Sequence, residues 1–211
     1  MTEPISAVTP AQPTTEAQHA RVRRIVDVAT MLVTTGGEDA VQMSDLPGLA
    51  HVSLAALYRY FPSKQHLLFA VVANHLESVL AKTQPRRRGV DPVRERTADH
   101  LLRGFHVDQK VPNLGRAVRR LSSLADPAFG AERDRLSHLH VEIMLRAVGP
   151  MTDHQREALW AVIGAADAAI QRWFAGLMPA EEVRFQILLA CRLLDLPAES
   201  VTADRRAAAR R

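Results

Sequence analysis

Cysteine is almost absent from this 211-residue chain. Cys191 stands alone, which excludes an internal disulfide framework and a zinc site built from several thiolates. Aromatic residues make up only 5%, with two tryptophans and two tyrosines, while Ala and Leu are abundant. Sheets draw on aromatic and β-branched residues, so this balance favours helices. Long apolar runs are missing too: the longest, Leu67 to Ala73, is far too short to span a membrane. The opening MTEPISAVTP has neither the basic start nor the apolar block of a secretory signal, so a cytoplasmic protein with no membrane partner is expected.

What is present is a globular composition, 47% apolar and 24% charged, in a chain long enough to bury a substantial core as one or two domains. The formal charge is +4, but seven arginines sit in two short clusters, Arg86 to Arg88 and Arg205, Arg206, Arg210 and Arg211. Without them the rest of the chain stands at −3. The segment from Arg21 to Lys64 carries five basic and four acidic side chains. Any attraction to nucleic acid must therefore come from local placement and not from a broadly basic surface.

Periodicity and punctuation divide the chain. Residues 1–17, rich in Pro, Thr and Ala, read as a flexible arm. Ile25, Val28, Ala29 and Leu32 recur at helical spacing, predicting a helix over 18–35 that Gly36-Gly37 stops. A short helix from about Met43 to Ala50 follows, although Pro47 falls inside it. Ser53 then caps a helix over Leu54 to Tyr60, with Leu57 and Phe61 on its inner face. Two short helices joined by a tight turn form a helix-turn-helix, whose second helix can enter a major groove. The head so defined spans 18–63.

Beyond it, Pro, Gly and capping signals predict six longer helices: 64–82, 91–110, 112–125, 131–147, 153–177 and 179–194. Asp91-Pro92 and the Thr152/Gln155 capping box mark two of the starts. Residues 64–197 form the body and 198–211 an Ala/Arg-rich flexible tail. The expected fold is all-α, with nine helices in a three-helix head and a helical bundle.

The stretch Leu57-Tyr58-Arg59-Tyr60-Phe61-Pro62-Ser63-Lys64, extended by Gly36-Gly37, Ala40-Val41-Gln42-Met43 and His66-Leu67-Leu68, resembles the recognition region of the TetR family of transcriptional regulators. Within that family it is most similar to the KstR-type repressors of lipid and sterol catabolism in actinobacteria. Their nine-helix fold matches the layout read above.

On their own chemistry, Tyr58 and Tyr60 offer hydroxyls to phosphates, Arg59 a guanidinium to a guanine edge or phosphate, and Lys64 a charge beside the backbone. The resemblance adds Gln42, Ser53, Leu54, Ala55 and Ala56 as DNA-contacting positions. It also implies a homodimer on a palindromic double-stranded operator and a small apolar effector, such as an acyl-CoA or steroid derivative, in the body. Apolar residues at helical spacing supply candidate lining: Phe69, Leu76, Leu102, Phe105, Leu121, Leu124, Leu139, Met144, Trp160 and Ile163. Trp173, Phe174 and the last two helices, with Leu188, Leu189, Leu193 and neighbouring Ala residues, suggest a four-helix dimer face.

This sequence departs from the family in three places: Ala55 and Ala56 stand where Gly and Thr are common, His51 replaces a frequent turn Gly, and Pro47 interrupts the second helix. These departures keep open an alternative, a lipid-sequestering protein that has lost its operator. Catalysis finds no support. No nucleophile accompanies Asp99 and His100, and no phosphate-binding, metalloprotease or hydrolase motif is present. His138 and His140 point about 200° apart on a helix, a poor metal pair. No cofactor or metal is expected, and His100, His106 and Cys191 read as ordinary structural residues.

Overall fold

The structure, a computed structural model, describes residues 10–85 and 91–210; the arginine loop 86–88 and most of the predicted arm lie outside them. Ten α-helices and three short 3-10 turns account for the described chain, with no strand among these residues. They are α1 (Glu16–Gly36), α2 (Leu46–Ala50), α3 (Leu54–Tyr60), α4 (Lys64–Lys82), α5 (Val93–Lys110), α6 (Pro112–Ser122), α7 (Gly130–Val148), α8 (Asp153–Phe174), α9 (Ala180–Cys191) and α10 (Ala198–Ala208).

Local chemistry explains the boundaries. Thr15 and Gln18 form a capping box that starts α1 two residues before the predicted position. Gly36 and Gly37 end it for different reasons. A Cβ on Gly36 would lie 2.7 Å from Ala40 Cβ, whereas Gly37 adopts a φ of +78°. The short second helix begins at Leu46, not Met43. Pro47 then sits in the first turn, where a missing N–H costs nothing. Its C-cap is His51, at φ +51° the only described non-glycine residue with positive φ. The Thr152/Gln155 capping box opens α8 as predicted. The predicted flexible tail is corrected by α10: Pro197 breaks the preceding turn, the Ala-rich segment re-enters a helix, and Arg205 pairs with Glu157 at 2.8 Å.

By contact, the chain divides into two units: residues 1–80 with 111–140, and 81–110 with 141–211. The sequence reading placed its boundary after residue 63. The units differ from it because α1 packs on α6 as well as on α2. Asn113 Nδ2 donates to the carbonyls of Thr34 and Thr35 at the end of α1, each at 3.4 Å. Arg120 on α6 forms a two-pronged ion pair with Glu38 just beyond it. In this first unit Ile25, Ala29, Val33, Leu46, Leu57 and Leu67 are fully enclosed or nearly so.

The second unit surrounds an apolar cluster that includes Phe105, Val162, Ile170, Ile187 and Leu194. Cys191 belongs to it, and burial pushes its thiol up to about 11, as expected of an inert core residue. One buried cation stands out. Arg96 donates to the carbonyl oxygens of Asp91 (2.6 Å), Val148 (2.6 Å) and Pro150 (2.7 Å), closing the C-terminus of α7. A planar guanidinium suits this role, since its fork reaches three acceptors at once and its charge opposes the helix dipole. Arg96→Met should leave these carbonyls without a donor and destabilise the fold by about 3 kcal/mol. Urea denaturation with an unchanged slope measures the loss.

His100, also on α5, has its pKa lowered to about 4, first by burial and then by Arg103. A folded-state value below the ordinary 6.5 means that the neutral ring fits the fold and the charged ring does not. Its contribution is complete above pH 6.5 and fades as pH falls toward 4, by about 3 kcal/mol at most. His100→Gln should flatten that part of the pH–stability curve.

Candidate nucleic-acid interface

The turn between α2 and α3 is built from backbone hydrogen bonds and a cap. Val52 N–H reaches Pro47 O at 3.0 Å, and His51 supplies the left-handed residue that reverses the chain. Ser53, extended, then caps α3 by accepting Ala56 N–H at 3.1 Å. Its exposed position leaves the start of α3 facing outward. At the other end Phe61 closes the helix, Pro62 prevents its continuation, and Ser63 starts α4 by accepting His66 N–H at 3.4 Å.

Seven residues make barely two turns, and they sort cleanly by side. Leu57, Tyr60 and Phe61 point inward and are buried. Leu54, Ala55, Tyr58 and Arg59 are exposed; Tyr58 keeps 44% of its surface. Ala56 is half-buried beside the Ser53 cap, and Lys64 is half-buried as the first residue of α4. Gln42 is exposed before α2, its amide donating to Asp39 O at 2.9 Å. One predicted contact needs correction. Tyr60 is only 3% exposed, and its hydroxyl is buried with no hydrogen-bond partner among the described residues, so it cannot offer that hydroxyl to a phosphate here. The spacing contained the signal: three residues after buried Leu57 and beside Phe61, position 60 lies on the inner face, whereas position 58 is about 100° away from 57.

The ten candidate ligand-lining residues divide between the two units. In the first, Phe69, Leu76 and Leu121 are buried, and Leu124 and Leu139 are half-buried. Phe69 stacks on Phe129 at 5.3 Å. In the second, Phe105 and Met144 belong to the apolar cluster, with Leu102 and Ile163 packed against it. Trp160 is the exception. It is 57% exposed on α8, which corrects its assignment to an interior pocket. Trp173 and Phe174, predicted on the dimer face, instead pack against the cluster, Trp173 meeting Phe105 edge-on at 5.2 Å.

The outward apolar face of the second unit therefore has a different membership. Phe185, Leu188, Leu189 and Leu193 recur at helical spacing along α9 and the turn after it, all exposed. On α8, Trp160 is followed by exposed Ala161, Gly164, Ala165 and Ala168. Phe185 was missed in the sequence, where its place four residues before Leu189 was the available signal. No group of three or more His, Cys, Asp or Glu side chains among the described residues could hold a metal ion. No described helix is long and apolar enough to cross a membrane.

With this geometry in view, residues 25–71 match the family model described as bacterial regulatory proteins, tetR family. The HTH-type transcriptional repressor KstR of Mycolicibacterium smegmatis is 30% identical over 181 residues, 85% of this chain and 89% of the relative. KstR of Mycobacterium tuberculosis is likewise 30% identical, over 85% of this chain and 82% of its own. Among solved structures, a TetR transcriptional regulator from Rhodococcus sp. RHA1 superposes with a TM-score of 0.72 at 27% identity, covering 85% of this chain and 97% of that one.

The two tyrosines should respond differently to loss of one oxygen. Tyr60→Phe removes a buried, unsatisfied hydroxyl and should raise stability by about 1 kcal/mol. Tyr58→Phe, on the exposed side, should leave stability unchanged; thermal unfolding of both variants against the parent decides the matter.

Proposed function

The chain belongs to the TetR family of bacterial regulatory proteins, and we propose that it represses transcription as a homodimer on a palindromic operator, releasing it when an apolar effector enters the helical body. The chain is a DNA-binding transcriptional regulator and not an enzyme, in keeping with relatives named as transcriptional repressors. The observation that carries the finer proposal is the outward face of α3. Leu54, Ala55, Tyr58 and Arg59 stand together on a helix whose opposite side is buried.

In this proposal Arg59 reads a base edge or phosphate, while Leu54 and Ala55 meet apolar groups in the major groove. Tyr58, Ser53, Gln42 and Lys64 fix the register on the sugar–phosphate walls, with Ala56 close behind the cap. The near-neutral balance of the head makes these few placements, and not a general attraction, the source of affinity. A palindrome requires a two-fold partner, with recognition helices about 34–36 Å apart. The exposed apolar faces of α8 and α9 supply a self-complementary surface: small side chains on α8 permit close helix approach, and Phe185 and Leu189 offer large apolar contacts.

The effector must bind one arrangement of the dimer more tightly than the other, since only a difference in affinity can shift the population. The buried apolar residues of both units, excluding Trp160, favour a hydrophobic ligand. The resemblance to KstR-type regulators directs that choice toward an acyl-CoA or steroid derivative, acting in the cytoplasm. The sequestering alternative loses ground, because Pro47 occupies a harmless first-turn position and α3 forms in full.

A shift assay on the gene's own upstream region tests this. Specific binding should persist over competitor DNA and fall steeply with salt. Lys64→Ala should lower the salt slope by about one, and Tyr58→Phe should weaken binding by about fivefold while Tyr60→Phe does not. A parent protein that prefers no sequence would overturn the proposal. Separately, Leu189→Glu should convert the dimer to a monomer in light scattering and abolish tight operator binding.

A further inference from the structure

The recognition helix is short enough that its own end is under-supplied with hydrogen bonds. The last four carbonyls of any helix lack an intrahelical donor. In α3, Phe61 N–H serves Leu57 O at 2.8 Å, and the carbonyl of Arg59 is served from a distant part of the chain: Ala11 N–H donates to it at 3.0 Å. The segment that provides this bond is anchored at its other end as well. Thr14 N–H donates to Gln18 Oε1 at 2.7 Å, and Thr15 caps α1.

Residues 11–14 therefore bridge two fixed points, the start of α1 and the close of α3. Pro10, Ala11 and Pro13 are half-buried, and they border a groove of about 300 Å³ together with Tyr60, Phe61 and Phe69. Pro13 within this bridge and Pro10 just before it limit the conformations available to it. The segment 10–14 carries no charge, so it lacks the side chains that ordinarily neutralise phosphates. It is adjacent to the inner face of α3, where Tyr60 is sealed from water with an unsatisfied hydroxyl.

We infer that residues 10–14 form a positioning strap that sets the angle of the recognition helix through the Ala11–Arg59 backbone bond. The inference rests on the proposed use of α3 to read DNA. The strap acts through Arg59 and Tyr58 and makes no contact with the operator itself. Holding the helix end lowers the entropy lost when those side chains meet the groove, which favours matched sequence over random duplex.

Ala11→Pro removes the single donor, and Ala11→Ser retains it. In the full chain without DNA, Ala11→Pro should accelerate amide exchange across residues 58–61 several-fold, with exchange at the centre of α1 unchanged. On the operator it should weaken binding by about tenfold while affinity for random duplex changes by less than twofold. Ala11→Ser should behave as the parent in both measurements. Unchanged exchange at the end of α3 in Ala11→Pro overturns the strap, whether or not the parent binds an operator. A parent without specific binding, but with the exchange difference, overturns the DNA reading instead and with it the strap's effect on recognition. Equal losses in Ala11→Ser, or a loss in Gln12→Ala as large as that in Ala11→Pro, would also overturn the strap, pointing to general disruption or direct side-chain readout.

Discussion

A helix of two turns has almost no stability of its own, because nucleation consumes more conformational entropy than so few hydrogen bonds return. Everything that α3 presents outward consequently depends on what it buries. Leu57, Tyr60 and Phe61 provide that anchorage, each large apolar body being worth about 1.5–3 kcal/mol when withdrawn from water. Their spacing fixes the rotation of the helix. Once 57, 60 and 61 are inside, 54, 55, 58 and 59 have only the solvent side left to occupy. The outward chemistry is thus a geometric by-product of the inward packing.

Charge has a secondary part in this arrangement. The excess of positive residues lies largely in the two arginine clusters, outside the helix-turn-helix segment of the sequence. Within the first unit, ion pairs such as Arg135–Glu77 at 2.5 Å link exposed side chains. Pairs of that kind contribute about 0–1 kcal/mol each. Cohesion comes instead from enclosed aliphatic side chains and from polar groups that complete helix ends: Ser53, Ser63, Asn113 and, in the second unit, Arg96.

Features set by neighbours in sequence were legible. The Thr152/Gln155 box, the Gly36-Gly37 stop, the Ser53 cap and the limits of α3 and α4 all depend on short-range stereochemistry, and each appears where the residues indicated. Features set by distant partners were not. The late start of α2 belongs with the local features instead, since Asp45 as its flank and the preference of Pro47 for a first turn both mark it, although the reading began that helix at Met43. Trp160 reads as core by composition and is exposed, while Trp173 reads as surface and packs on Phe105. Helical spacing alone identifies an apolar stripe; it does not say which element will cover it. Tyr60 is the instructive case, since its residue type suggested a polar task and its position dictated a buried one.

The grip of α6 on α1 bears on how far the reading head can be treated as a separable module. Asn113 and Arg120 supply hydrogen-bond donors to the region where α1 ends, and Leu114, Ala117 and Leu121 of the same helix are buried. A fragment excised after Lys82 would lose all of these, baring apolar surface along α1 and stranding its terminal carbonyls. The helix-turn-helix head of this chain is thus discontinuous in sequence: its scaffold is completed by α6, which the ribosome adds only from Pro112 onward, after the whole of α4 and α5, and grafting residues 16–82 onto another protein would transfer the letters without the frame that holds them.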